Sequence, residues 1–136
     1  MNATRGAPGR AQGRKPIRES QIEKYLVAQV KALGGEYRKV RWIGRCNAPD
    51  RFVMLPEKIY PAWQDPNGRP GPGGRLVYWG AEYRVKAKTI WVELKAPGKK
   101  PTSGQLREHE RMRGMGQRVE VIDSFDGVDK LIGEMK

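Results

Sequence analysis

The chain has 136 residues and a mass of 15.4 kDa, enough for one compact domain and too little for two. Its 27 Lys and Arg outnumber 15 Asp and Glu, giving a net charge of +12 and a pI near 10.1, and such a surface points to a polyanion as partner. No apolar run approaches the ~20 residues of a membrane helix, and one cysteine with one histidine leaves neither a disulfide nor a structural zinc site.

Residues 1–16 carry Gly6, Pro8, Gly9, Gly13 and Pro16 among basic residues and no apolar h-region. They read as a disordered basic arm rather than a secretory signal, and the protein is expected in the cytoplasm. The arm does not account for the charge: Arg5, Arg10, Arg14, Lys15 and Arg18 supply less than half of the excess. Residues 17–136 read as a single domain. Ser20-Gln21-Ile22-Glu23 has capping-box form, and Ile22, Leu26, Val30 and Leu33 follow at helical spacing as far as Gly34-Gly35. A start one turn earlier, at Pro16-Ile17, puts Glu19 and Glu23 on one face at i, i+4.

Residues 36–43 alternate charged and apolar side chains, with Tyr37, Val40, Trp42 and Ile43 suited to a strand. The stretch 44–49 breaks it. Arg51-Phe52-Val53-Met54-Leu55 reads as a second strand, buried on both faces and stopped by Pro56. Residues 56–88 form a loop-rich insertion: 61–74 is dense in Pro and Gly, and Val77, Tyr78, Trp79 and Tyr83 in 76–85 suggest a hairpin or an extra strand. Thr89 to Lys95 is the most apolar strand, closed by Ala96-Pro97-Gly98. Thr102 or Ser103 caps a helix that runs to about Arg113, and Val119 to Ile122 is a short strand. Ser124 caps a last helix bearing Val128, Leu131, Ile132 and Met135 at i, i+3, i+4 and i+7. The order is helix, three or more strands, helix, strand, helix, which predicts an α/β domain with a mixed central sheet flanked by helices.

Strand periodicity puts Glu93 and Lys95 on one face of the Thr89 to Lys95 strand and Leu94 on the other. Asp50 stands at the start of the second strand, and if the two strands are neighbours its carboxylate meets that of Glu93. Converging carboxylates repel unless a cation lies between them, and oxygen donors without His or Cys favour Mg²⁺ or Mn²⁺. With a basic surface around it, such a site suggests metal-assisted hydrolysis of a phosphodiester: the cation lowers the pKa of a water, and Lys95 orients that water or offsets charge on the phosphate. The competing reading of Glu93 and Lys95 is an exposed ion pair worth ~0–1 kcal/mol, although the apolar strand around them disfavours a purely solvated role.

Ala48-Pro49-Asp50, Glu93-Leu94-Lys95, Gln105 near the start of the next helix and Glu19 near the start of the first together resemble the PD-(D/E)XK nuclease superfamily. Within it they are most similar to the VRR-NUC family, known as small stand-alone phage proteins and as the nuclease module of a DNA-repair enzyme. The similarity runs from about Glu19 to Ile132, interrupted by the insertion, and includes Val121-Ile122-Asp123-Ser124 before the last helix. The resemblance implies a restriction-endonuclease-like core of order α-β-β-β-α-β plus a C-terminal helix. It implies that Asp50, Glu93 and the Leu94 carbonyl bind metal, with Glu19 as a further ligand directly or through water, that Lys95 is catalytic, and that Glu19 and Gln105 complete the site. Stand-alone phage members act on four-way junctions as homodimers, so branched DNA and pairing of two copies are expected from the family, though nothing in the spacing shows a dimer. Family members usually have Gly where this chain has Asn47, and Asn tolerates the positive φ such a turn needs.

Each transferred residue has a structural alternative. Glu19 also suits a helix N-terminus through the dipole, Glu23 reads mainly as a capping-box member, and Gln105 stands three residues after Thr102 as a capping box requires. Arg38, Lys39, Arg41 and Arg45 before Asp50, and Lys99 and Lys100 after Lys95, are candidate phosphate contacts or a solvated face. Trp63, Trp79 and Tyr83 read as packing before base stacking. His109, isolated among charges, is given no catalytic role. A metal-dependent DNA endonuclease leads; a non-catalytic nucleic-acid-binding protein with a nuclease-like fold, or a basic RNA-associated protein with structural carboxylates, are the alternatives.

Overall fold

The structure, a computed structural model, describes residues 15–60 and 83–136. Helix α1 spans Glu19–Ala32 and buries Ile22, Leu26 and Val30 of the stripe read from the sequence, while Leu33, its C-cap, is partly buried against the core. Its start differs from the expected Ser20 box: the Gln21 side-chain oxygen reaches back to accept the Arg18 N–H at 2.8 Å, which frees Glu23 for tertiary partners. The helix ends where Gly34 takes φ 79° and its N–H bonds the Lys31 carbonyl. Gly35 follows for a different reason: a Cβ there would lie 2.5 Å from the Met54 carbonyl oxygen, so only glycine lets the chain pass this close to the sheet.

The main sheet has the order β1-β2-β5-β6, with β1 at Glu36–Lys39, β2 at Arg51–Leu55, β5 at Lys88–Leu94 and β6 at Val119–Ile122. The β1, β2 and β5 neighbours are antiparallel and β5 pairs with β6 in parallel, a crossover made by helix α2 (Ser103–Gly114). This is the expected mixed sheet flanked by helices. Strand β1 stops at Lys39, short of the predicted Ile43, because after the Val40 N–H to Asp50 carbonyl bond the chain turns so that Trp42 lies against Trp91, ring centres 5.2 Å apart. Lys58–Tyr60 (β3) pairs antiparallel with Tyr83–Val85 (β4) as a separate ribbon. The extra strand expected in 76–85 is thus present at its end, while 61–82, with Trp63 and Trp79, lies outside the described residues, as does the arm over 1–14.

Strand β2 is not buried on both faces. Val53 and Leu55 are in the core while Phe52 and Met54 are half-buried, because the second face is covered by Trp91, 4.4 Å from Phe52, rather than by a helix. Val53 and Leu55 join Ile22, Leu26, Val30, Ile90, Val92, Leu94, Ile122 and the inner face of helix α3 (Phe125–Met135) in one cluster. Each fully buried aliphatic side chain there contributes about 1.5–3 kcal/mol. Ser124 caps α3 by accepting the Gly127 N–H at 2.9 Å, and Tyr25 of α1 meets Phe125 edge to face. Helices α1 and α3 therefore cover one face of the sheet, leaving α2 to the other. Among the described residues no helix is long and apolar enough to cross a membrane.

Candidate active site

The antiparallel β2–β5 ladder pairs Arg51 with Val92, and continuing it by one step sets Asp50 directly opposite Glu93. Ile90, Val92 and Leu94 point into the core, so alternation turns Glu93 to the α2 side of the sheet. The ladder persists one residue past β5, where the Lys95 N–H donates to the Ile122 carbonyl at 2.9 Å. That keeps Lys95 on the Glu93 face, as the sequence predicts.

The approach to Asp50 is tightly built. Asn47 adopts φ 68°, the conformation expected of it, and its side chain abuts Gly104, where a Cβ would lie 2.7 Å from Asn47 Nδ2. Pro49 is buried, and its carbonyl accepts the Trp42 Nε1–H at 2.7 Å. The turn is thus held from α2 on one side and from the aromatic cluster on the other.

Glu93 is 8% exposed, and its pKa is pushed up to about 7. Burial is the largest cause; the negative charges of Asp50 and Glu19 raise it further, against the opposing charges of Lys95 and Arg51. Charges on α1, the β2 turn and β5 thus all bear on the Glu93 carboxyl. Gln105 is placed otherwise: its side-chain oxygen accepts the Thr102 N–H at 2.9 Å while its own N–H bonds Thr102 Oγ1 at 3.1 Å. That is the capping-box alternative, at the helix end beside the Asn47 turn.

Sequence reasoning misses one neighbour of Glu93. His109, wholly buried on α2, sets Nε2 3.4 Å from Glu93 Oε1. Burial, followed by the charge of Arg113, lowers its pKa, which favours the neutral ring, and Nε2 then donates to Glu93 when that carboxyl is ionised or accepts from it when it is protonated. Nδ1 has no hydrogen-bond partner among the described residues. The available signal is the spacing of Gln105, His109 and Met112 at i, i+4 and i+7, an inward helix face. The neighbouring Glu108, also buried, is bonded by Arg45 and Arg111, which hold its pKa down.

Asp50 is exposed, and Arg51 Nη1 lies 2.8 Å from its Oδ1. Arg51 Nε in turn donates to Glu23 Oε2 at 2.7 Å, and the Tyr37 hydroxyl donates to the same oxygen at 2.5 Å. Burial alone would raise the Glu23 pKa, but these bonds and the charges of Arg51 and Lys39 bring it below the ordinary value. Among the basic candidates, Arg38 pairs with Glu36, Lys39 with Glu23 and Arg45 with Glu108. Arg41, Lys99 and Lys100 are exposed with no carboxylate partner among the described residues.

As placed, no three His, Cys, Asp or Glu side chains among the described residues form a closed ligand group. The donor chemistry nonetheless suits a hard divalent cation: the carboxylates of Asp50, Glu93 and Glu19 supply oxygen alone.

The chain is 41% identical over 110 residues to "Putative nuclease p44" of Acyrthosiphon pisum secondary endosymbiont phage 1, a match covering 81% of this chain and 87% of that protein. A solved structure described as a VRR_NUC domain superposes with a TM-score of 0.58 at 34% identity, covering 87% of this chain and 97% of the other. No family model matches the sequence.

Proposed function

Because the chain belongs to the VRR-NUC family of nucleases, with its restriction-endonuclease-like core, we propose that it is a Mg²⁺- or Mn²⁺-dependent DNA endonuclease acting on branched DNA such as four-way junctions. The observation that supports this reading is the β2–β5 register, whose continuation brings Asp50 to the rung of the buried Glu93, on the strand that carries Lys95. Asp50, Glu93 and the Leu94 carbonyl would hold the cation, with Glu19 as a further oxygen donor directly or through water. When bound, the cation supplies Lewis acidity toward a phosphoryl oxygen and makes water a better nucleophile at neutral pH.

The protein's own groups do the positioning. Lys95, on the Glu93 face, orients the attacking water and offsets charge growing on the phosphate. Gln105, at the α2 end where Gly104 packs on the Asn47 turn, completes the site. Arg41, Lys99 and Lys100 serve as phosphate contacts, with Arg38, Lys39 and Arg45 available where an intramolecular pair opens. Two copies acting together would serve the two strands of a junction, in the cytoplasm of a bacterial host.

The test is a panel of labelled four-way junction, flap, single-stranded and duplex DNA, with RNA alongside, incubated with Mn²⁺ or with EDTA. Cation-dependent cutting of the junction in preference to duplex is expected. Lys95→Ala should abolish cutting while DNA affinity in EDTA stays within a few-fold, since one positive charge of many is removed. Binding without cutting of any substrate overturns the enzyme and leaves a nucleic-acid-binding protein; a preference for RNA overturns the DNA reading.

A further inference from the structure

Strand β2 directs Arg51, Val53 and Leu55 to the face that packs under α1, so Arg51 is the polar end of an otherwise apolar row. Its side chain is only 14% exposed. From there it makes two charge-assisted contacts in different directions, Nε to Glu23 Oε2 at 2.7 Å and Nη1 to Asp50 Oδ1 at 2.8 Å. Glu23 is itself fixed: the Tyr37 hydroxyl donates to it, and Lys39 stands 3.9 Å away. In the β1–β2 ladder Tyr37 faces Val53 and Lys39 faces Arg51, so α1, β1 and β2 converge on one hydrogen-bonded group. Glu23 is one helical turn from Glu19, and α1 thus contributes one carboxylate to the site and another to the support beneath it.

We infer that Arg51 is a positioning residue for Asp50, a guanidinium clamp anchored on Glu23 that fixes the orientation of the Asp50 carboxylate for cation binding. The inference rests on the proposed cation site and adds to it a support that reaches the chemistry only through Asp50. A flexible exposed aspartate would lose rotamer freedom on binding a cation; the fork geometry of arginine removes that freedom beforehand. The contact takes one of the two Asp50 oxygens and leaves the other uncommitted among the described residues.

The sign of one substitution separates positioning from plain charge. If Arg51 acted on a cation only as a positive charge beside Asp50, Arg51→Gln would relieve repulsion and tighten Mn²⁺ binding. As a positioning residue, the same change should weaken Mn²⁺ binding about 10–100-fold, the usual effect of removing a support behind a metal ligand. Arg51→Lys, which keeps the charge and loses the fork, should also weaken it. Glu23→Gln keeps an acceptor for Arg51 and Tyr37 but removes the charge, and should weaken binding by a smaller factor, which keeps the inference testable if the Arg51 variants do not fold.

The measurement is calorimetric titration of the full chain with Mn²⁺ at pH 8, beside circular dichroism melts in EDTA that establish the folded fraction. Wild-type binding with weakened variants supports the clamp. Variants that melt lower yet bind Mn²⁺ with wild-type affinity overturn it, as does tighter binding by Arg51→Gln. Failure of the wild type itself to bind Mn²⁺ overturns the cation reading on which the inference rests.

Discussion

In the absence of cation, Glu93 should make the folded protein less stable as pH rises through neutrality, opposite to an ordinary paired carboxylate. Its pKa stands at about 7 against an ordinary 4.5, so between those values the native state holds a proton that the unfolded chain has released. The stability Glu93 contributes is therefore fully present below about pH 4.5 and is lost as pH passes about 7. The shift corresponds to about 3 kcal/mol. His109 has the opposite sign: its lowered pKa makes the native state gain stability as pH rises toward 6.5. Glu23 and Glu108, with lowered pKa values, gain theirs at the acid end.

Comparison with Glu93→Gln isolates the one residue, because the amide keeps the shape of the protonated acid and does not titrate. In EDTA, the stability of Glu93→Gln relative to wild type should increase by about 3 kcal/mol between pH 4.5 and pH 8, read from urea unfolding followed by circular dichroism. In thermal melts this is a relative gain of roughly 10 °C for a chain of this size. Saturating Mg²⁺ or Mn²⁺ should raise the stability of the wild type at pH 8 by binding to the native state, and should do so far less for the variant. A stability difference between the two proteins that does not vary with pH would refute the claim that burial and the neighbouring carboxylates disfavour Glu93 ionisation.

Gly35→Ala should cost about 1–3 kcal/mol by chemical denaturation, because its new methyl would meet the Met54 carbonyl oxygen at 2.5 Å; an unchanged midpoint would mean that β2 moves aside freely. Asn47→Gly should fold with stability within about 0.5 kcal/mol of wild type, whereas Asn47→Val should lose about 1–2 kcal/mol for holding a β-branched residue at φ 68°, both read from melts in EDTA. Replacing Lys99 and Lys100 together by Ala should flatten the dependence of log DNA affinity on log salt by about 0.9 for each phosphate that these lysines neutralise. An unchanged slope in fluorescence anisotropy would remove this loop from the interface.

The parts of the molecule legible in the sequence are those fixed by local periodicity. The Ile22, Leu26 and Val30 stripe, the apolar run into Leu94 and the Val128 to Met135 face each state their own burial. Asp50 and Glu93 are legible as candidates, but whether their strands are neighbours depends on a pairing across the insertion that side-chain patterns cannot supply; the Arg51 to Val92 pair shows the strands adjacent, with Asp50 and Glu93 one step beyond. Glu23 is ambiguous in sequence because a capping box and a half-buried ion-pair acceptor look alike on paper, and the choice falls to Arg51 and Tyr37, which come from other elements. His109 is obscured by the charges around it in sequence. On the helix, Glu108 turns to Arg45 and Arg111 while the imidazole turns to Glu93.

The direction in which β2 and β5 run has a practical side. Both strands have their Asp50 and Glu93 ends at one pole of the sheet, so Leu55 and Lys88, paired at the last rung, mark the opposite pole. The chain leaves for the β3–β4 ribbon and returns from it there. That separation keeps an insertion at the Leu55 and Lys88 pole several rungs away from the carboxylates. A dye or an affinity handle spliced beyond Leu55 would sit at the pole away from the Asp50 and Glu93 rung.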